Sequence, residues 1–385
     1  MTRTTGFLLG AGASYELGLP LVDELTIEFK RSILRNWNAP YYKVSRKIEE
    51  VLYPLLNDNS MNYEDIIGRI EVEINRTRGN NQLYQEWYAV LGRYLEAVFI
   101  LLLERHTKNE QFINERLYLL EEIKNFCSEK PLWIFSLNHD LIIEMIAKHY
   151  QIPLKCGFNT YKEVSGIKFE ELSREDMEKN RFKFIYNEAG INLVKLHGSL
   201  DIFTYLDGKS YLKLAHNIGN DSTLIKGINQ LISNDPTIKQ GVKCTNEITY
   251  YDENNVLQFL RMTIMSGKHK YSSKVSHNMD DWFFKIFKRH INYVNELYCI
   301  GYSFQDKHIN SVVYDWLAFS NERKIIIVNP YIKEIPNDFK HISDQVEIQN
   351  KGFLNFLNKK NKKMDIKFNQ TFRDLSRKKF IKNNV

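Results

Sequence analysis

The sequence predicts an α/β protein built on an open parallel sheet, and three observations predict it. Short apolar runs recur along the chain, each stops at a glycine-bearing or polar turn, and each turn leads into residues with helix-like apolar spacing. Strands covered by helices on both faces read as continuous apolar runs rather than as alternations. The 385 residues are 43% hydrophobic and 26% charged, enough for one large core or two ordinary ones, which excludes global disorder.

Thr4 to Leu9 is the first predicted strand; it ends in Gly10-Ala11-Gly12-Ala13-Ser14, and Leu21 to Leu34 then has helical spacing. Its apolar stretch is short and soon meets Glu16 and Asp23, so it reads as a folded strand and not as a signal peptide. From about Trp37 to Phe126 the pattern is helical, with Ile48, Val51 and Leu52 on one face and an apolar run from Leu91 to Leu103. This predicts a helical insertion over about residues 36–126.

Leu132 to Phe135 is the next strand, broken at Ser136-Leu137-Asn138-His139-Asp140 and followed by a helix from Leu141 to His149. Ile191 to Leu196 is another, ending at His197-Gly198-Ser199, and Ile202 to Leu214, interrupted at Asp207-Gly208, predicts a β-hairpin. Residues from about Ala215 to Asp280 carry no assignable period and fall within a mixed insertion over about 203–290. Leu297 to Ile300 leads into Gly301-Tyr302-Ser303-Phe304-Gln305-Asp306 and a helix from Ile309 to Phe319. Lys324 to Val328 is the clearest buried strand and ends at Asn329-Pro330; Val346 to Ile348 is a further short strand. The predicted class is a Rossmann-like open parallel sheet with a helical insertion and a basic C-terminal extension, divided as a domain over 1–331 and an extension over 332–385.

Charge and cysteine content narrow the partners. Lys and Arg number 53 against 47 Asp and Glu, but from residue 332 onward there are 13 basic and 6 acidic side chains, so the body is nearly neutral and the excess belongs to the extension. Lys359, Lys360, Lys362 and Lys363 read as a solvated face. Nucleic-acid contact by the tail has only this charge in its favour, because no reader motif or interleaved aromatics accompany it. Cys127, Cys156, Cys244 and Cys299 match neither a zinc pair nor a disulfide framework, so a cytoplasmic, metal-free protein is expected. No apolar run approaches the ~20 residues of a membrane span.

In open parallel sheets ligands bind beyond the carboxyl ends of the strands, and each polar motif named above falls at such an end. Gly10-Ala11-Gly12 at a strand-to-helix turn would let backbone approach a phosphate, with a helix N-terminus behind it. The ordinary dinucleotide fingerprint fails, since Tyr15 stands where it wants Gly or Ala, and a purely structural tight turn explains the glycines equally well.

Extended to Gly18-Leu19-Pro20, however, the spacing resembles the opening motif of the sirtuins, the NAD-consuming silent-information-regulator family. Ser136-Leu137-Asn138-His139-Asp140 is similar to their Thr-Gln-Asn-x-Asp turn, Lys195-Leu196-His197-Gly198-Ser199 to the turn bearing their general base, Gly301-Tyr302-Ser303 to their Gly-Thr/Ser-Ser turn, and Asn329 to the asparagine on the adenosine ribose. The chain departs from the family at Leu21-Val22-Asp23, where Phe-Arg is usual, and at Leu137, where Gln is usual; it also lacks the four-cysteine zinc module. It thus looks like the zinc-free sirtuin-like NAD hydrolases of bacterial antiphage defence, and among them the subunit that partners a HerA-type ATPase.

The resemblance implies NAD as substrate without a metal. Asn138 would hold the attacking water and ribose hydroxyls, since a carboxamide both donates and accepts. His197 would accept the proton as general base, and Asp140 would orient the nicotinamide carboxamide or the Asn138 turn. Gly10, Ala11, Gly12, Ser14, Gly198, Gly301 and Ser303 would surround the phosphates and adjoining ribose, with Asn329 on the adenosine side. Structural readings stand beside these: His197 as a satisfied strand-end residue, His139 as a pocket wall or surface residue, Asp140 more than Asn138 as a helix cap, Ser303 and Asp306 as caps, and Asn329 as a turn. A self-poisoning NAD hydrolase needs restraint, so a homo-oligomer is expected, and no membrane. Protein deacylation and non-catalytic sensing of NAD or ADP-ribose are the alternative functions.

Overall fold

The computed structural model describes residues 4–206, 208, 210–216, 223–267, 281–358, 367, 369–375 and 377. Lys359, Lys360, Lys362, Lys363 and the hairpin residue Asp207 lie outside them. The strand β1 (Thr5–Leu9) runs into a short helix α1 (Ala11–Tyr15), followed by α2 (Val22–Arg35), α3 (Arg46–Asn57), α4 (Tyr63–Arg76), the long α5 (Asn81–Asn114) and α6 (Ile123–Phe126). Next come β2 (Pro131–Ser136), α7 (Ile142–His149), β3 (Leu154–Lys155), β4 (Thr160–Val164), β5 (Ile167–Ser173), α8 (Arg174–Glu178) and β6 (Gly190–Lys195). The hairpin of β7 (Ile202–Tyr205) and β8 (Ser210–Leu214) precedes α9 (Leu224–Ser233), α10 (Pro236–Lys239), β9 (Glu247–Tyr251) and β10 (Leu257–Met262). The chain closes with α11 (Trp282–His290), β11 (Glu296–Ile300), α12 (Lys307–Ala318), β12 (Lys324–Val328), β13 (Val346–Gln349) and α13 (Phe353–Phe356).

The predicted α/β class is what forms. Seven strands make one parallel sheet in the order β13-β12-β11-β1-β2-β6-β3. Every residue of β2 and of β6 is buried, which is why their sequences show no alternation. Phe7, Leu8, Trp133, Phe135, Leu193, Val194, Cys299 and Ile327 lie in the core around this sheet.

A second sheet, antiparallel and six-stranded, has the order β4-β5-β8-β7-β10-β9. Two of its strands, β4 and β5, arise from residues for which the sequence predicted no element, and β9 and β10 come from the stretch without a period. Its apolar face does not form a separate core. Phe169, Phe203, Leu212 and Leu260 from the sheet join Phe29, Ile70, Trp87, Val98 and Phe99 from the helices in one cluster. The helix α5 makes this union, because apolar side chains on more than one of its faces need cover, which the sheet, α2–α4 and α9 supply together.

The C-terminal extension is partly bound to the body. The Arg377 guanidinium is buried, lies 3.4 Å from the Tyr15 ring centroid and donates to Leu19 O at 2.6 Å, while Asn369 donates to Glu16 O at 3.3 Å. Residues 369 and 377 therefore hold the loop that follows α1.

Candidate functional site

Four neighbouring strands end side by side. Leu9 pairs with both Ile300 and Ser136, and Ser136 pairs with Lys195, so the turns after β11, β1, β2 and β6 share one edge of the sheet. Here the strand order also reverses, β2, β6 and β3 lying to one side of β1 and β11, β12 and β13 to the other. An open parallel sheet presents its ligand crevice at such a point.

Three residues singled out from the sequence form a single hydrogen-bonded set at this edge. Asn138 Nδ2 donates to Gly10 O at 2.9 Å and to Ser14 Oγ at 3.0 Å, and Ser14 Oγ donates to Asp140 Oδ2 at 2.5 Å. The hydroxyl acts as relay, accepting from the amide and donating to the carboxylate. Asp140 Oδ1 accepts from Ile142 N at 3.0 Å at the start of α7, so the capping read for Asp140 is present together with its contact to Ser14.

The glycine turn differs from the phosphate cradle expected. Helical residues stop at Tyr15 and resume at Val22, so a one-turn helix, not α2, stands behind Gly10. The amides also have partners in the protein: Gly10 N donates to Ile300 O and Gly12 N to Gly301 O, each at 3.0 Å. What demands glycine is the approach of the two turns. A Cβ on Gly301, whose φ is +60°, would stand 2.2 Å from Ala13 N, and one on Gly10 would stand 2.6 Å from Gly301 O. Ala11, half-buried, lies between these contacts.

At the end of β6, His197 is buried, its ring centroid 6.5 Å from that of half-buried His139. His197 Nε2 lies 3.3 Å from Asp306 Oδ2, while Asp306 Oδ1 accepts from His308 N at 3.1 Å and Ile309 N at 3.3 Å, capping α12. Gly198, with φ +81°, brings its backbone onto residue 263; a Cβ there would stand 1.9 Å from Thr263 O. Ser303 is exposed at the end of β11. Asn329 is buried after β12, its Oδ1 accepting from Tyr331 N at 2.9 Å as in a turn and its Nδ2 donating to Tyr302 O at 3.3 Å in the turn after β11.

Sequence reading passed over three contributors. Lys195 is 2% exposed; it donates to Asp140 O, stands 3.5 Å from Asn138 O and lies 3.6 Å from Glu144 Oε2. Glu144 in turn meets Lys213 at 3.1 Å, and Lys213 is paired with Asp201. The lysines hold the Glu144 carboxyl below its usual range against the opposing effect of burial, and the Asp201 and Glu144 carboxylates hold Lys213 well above its own against the same effect. His106 of α5 accepts from Leu141 N at 3.1 Å through Nε2, and burial pushes its imidazole below the usual 6.5. The third, Asp306, had been read only as a cap. A signal existed for Lys195: a lysine inside an otherwise apolar strand must find a buried counter-charge.

Among the described residues no group of His, Cys, Asp and Glu is gathered as for a metal ion, and no helix is long and apolar enough to cross a membrane. No protein-family model and no curated protein matches the chain. Solved structures of sirtuins do match. One, from work on sirtuin substrate affinity, has a TM-score of 0.39 at 12% identity and covers 92% of this chain and 91% of its own. Sir2 in complex with the inhibitor EX-527, 2'-O-acetyl-ADP-ribose and deacetylated p53 peptide has a TM-score of 0.35 at 12% identity over 92% and 91%. Sir2 with a p53 peptide and NAD+ has 0.34 at 11% over 92% and 90%.

Proposed function

We propose that the protein hydrolyses NAD at the nicotinamide–ribose bond, giving nicotinamide and ADP-ribose. The observation that carries this reading is the set Ser14, Asn138 and Asp140, hydrogen-bonded to one another at the strand edge where His197 also stands. Three short motifs with a sirtuin-like order supply these residues, and none of the contacts between the first and second turn is local in sequence.

The chemistry needs little from the protein. C1′ of the ribose is already bonded to a cationic pyridinium, so cleavage releases neutral nicotinamide and leaves an oxocarbenium-like sugar. Water adds to that carbon, and one proton leaves. Catalysis therefore lies in favouring the cationic transition state, positioning water on the open face and accepting its proton. Asn138 Nδ2 has both hydrogens engaged by Gly10 O and Ser14 Oγ, which leaves Oδ1 to accept from the water or a ribose hydroxyl, with Ser14 and Lys195 fixing its turn. His197 takes the proton. Asp140 orients the turn through Ser14 and caps α7. Gly10, Gly12 and Gly301 bring the first and fourth turns together, and the exposed Ser303 stands at their rim.

The zinc-free resemblance supports a role in NAD-depleting antiphage defence, restrained by self-assembly or by a HerA-type ATPase partner. Incubation of purified protein with NAD, alone and with the product of the neighbouring reading frame, is expected to release nicotinamide. Asn138→Ala and His197→Ala are each expected to lower turnover by about 100-fold or more, the scale of a lost general base. Turnover retained in both variants overturns the assignment. NAD consumption that requires an acyl-peptide identifies a deacylase instead, and binding without turnover identifies a sensor.

A further inference from the structure

We propose that the C-terminal extension is a working part of the site: Asn369 and Arg377 are positioning residues for Ser14, acting through residues 15–19, so that turnover requires the extension to be docked. The effect on turnover rests on the hydrolase reading above; the hold on the loop does not.

Ser14 supplies the hydroxyl that joins Asn138 to Asp140, and its own carbonyl anchors the loop that follows α1. Ser14 O accepts from Leu17 N at 3.1 Å and from Leu19 N at 3.3 Å, so the chain folds back on Ser14. Three carbonyls of the same loop find donors far away in sequence. Asn369 Nδ2 donates to Glu16 O at 3.3 Å, Asn109 Nδ2 to Gly18 O at 3.2 Å and Arg377 Nη2 to Leu19 O at 2.6 Å. Two of these three donors belong to the extension. Leu19 is held by its N–H on Ser14 and by its carbonyl on Arg377, which makes the path from extension to site one residue long.

The extension is shaped for this contact. Residues 369–375 are helical, and Asn369, Arg373 and Arg377 recur every four residues, which puts them on one face. Arg373 and Arg377 stand over the Tyr15 ring, 4.7 Å and 3.4 Å from its centroid. Arg377 is 5% exposed, its Nε and Nη1 have no hydrogen-bond partner among the described residues, and its Nη2 lies 3.4 Å from Glu24 Oε2. The Tyr15 ring and Glu24 therefore compensate much of the cost of burying this cation. Tyr15 is also where the chain departs from the ordinary dinucleotide fingerprint, and Gly or Ala there would offer the guanidinium no ring. From the other side Arg116 Nε donates to Asn369 Oδ1 and orients its amide toward Glu16. The set Ser14, Asn138 and Asp140 is assembled with these contacts in place, so the docked state is the one with the site formed.

Amide hydrogen exchange of the full-length protein, read by mass spectrometry, tests the hold on the loop. In Arg377→Ala and in Tyr15→Leu the amides of residues 17–19 are expected to exchange about tenfold faster or more, with β4 unchanged, whereas Tyr15→Phe, which keeps the ring, stays within about twofold of native. Turnover of NAD is expected to fall about tenfold in kcat in the first two variants and to stay within about twofold in Tyr15→Phe. Coupling between two sites is reciprocal, so saturating ADP-ribose added to the native protein is expected to slow exchange about threefold or more at 17–19 and at 369–375, again with β4 unchanged; this readout needs no substitution, and a merely structural contact would not move it. Native exchange at 17–19 in both Arg377→Ala and Tyr15→Leu overturns the inference. So does a full or raised kcat in these variants, or bound ADP-ribose that leaves 369–375 unchanged. A native protein that neither binds ADP-ribose nor turns over NAD counts against the hydrolase reading and leaves exchange in the variants to decide whether the extension holds the loop.

Discussion

Lys195→Met is the perturbation that best tests how the Asn138 turn is held. In the native protein Lys195 and Lys213 face Glu144 and Asp201, two cations against two carboxylates, all four at most 3% exposed. Methionine fills nearly the same volume but leaves Glu144 and Asp201 sharing one ammonium. Breaking a buried pair by removing one partner costs about 3–5 kcal/mol. The Asp140 carbonyl also loses a donor, a further ~1 kcal/mol that overlaps with the first figure because the groups form one network. Against a typical total of about 5–15 kcal/mol this is a large fraction. Urea unfolding at neutral pH, followed by tryptophan fluorescence, measures it. Adding Glu144→Gln to Lys195→Met removes the excess negative charge, so the double variant is expected to recover at least about half the loss, the signature of coupled sites. A Lys195→Met loss below about 1 kcal/mol, or a double variant no better than the single, refutes the argument, because neither can occur if an uncompensated buried carboxylate is the cause. The pH dependence has a definite sign. Glu144 is depressed in the folded state, so the unfolded chain takes up its proton first, and the contribution is complete above 4.5 and lost as pH falls below it.

Two other outcomes follow from the site. Gly198→Ala places a Cβ 1.9 Å from Thr263 O at a φ of +81°, and a loss of about 3 kcal/mol or more in urea unfolding is expected, since both strain and a backbone clash act. For His106, burial lowers the folded value below 6.5, so the unfolded chain binds the proton first and stability falls as pH drops below 6.5. His106→Gln is expected to make the stability profile between neutral and mildly acid pH shallower by up to about 1.4 kcal/mol per pH unit, the weight of one proton; an identical slope in both proteins counts against it.

How legible the molecule was varies by element. β12 was read residue for residue from Lys324 to Val328, and β2 and β6 within one or two residues, because strands buried on both faces carry their environment in composition alone. β4 and β5 escaped notice, since Tyr161, Lys162, Glu163, Glu170 and Glu171 lie where an apolar run would be needed for recognition, and β4 sits at a sheet edge. Ser14, Asn138 and Asp140 stood out through motif spacing, but their mutual hydrogen bonds did not. The opposite held for Gly10 and Gly12: their presence suggested a phosphate cradle, whereas their amides bond to Ile300 and Gly301.

Local pattern sufficed to mark the strands, the turns at their ends and the residue types exposed there, because hydrophobic burial and turn geometry act over a few neighbouring residues. Strand order is a different matter: it depends on which long crossover packs where, and nothing between Gly10 and Leu297 says that β11 will lie beside β1. That order alone put Gly301 on Gly10, set Lys195 beneath Asn138 and carried Asp306 to His197. Electrostatic and hydrogen-bonding partners separated by long stretches of chain exist only once the sheet has closed.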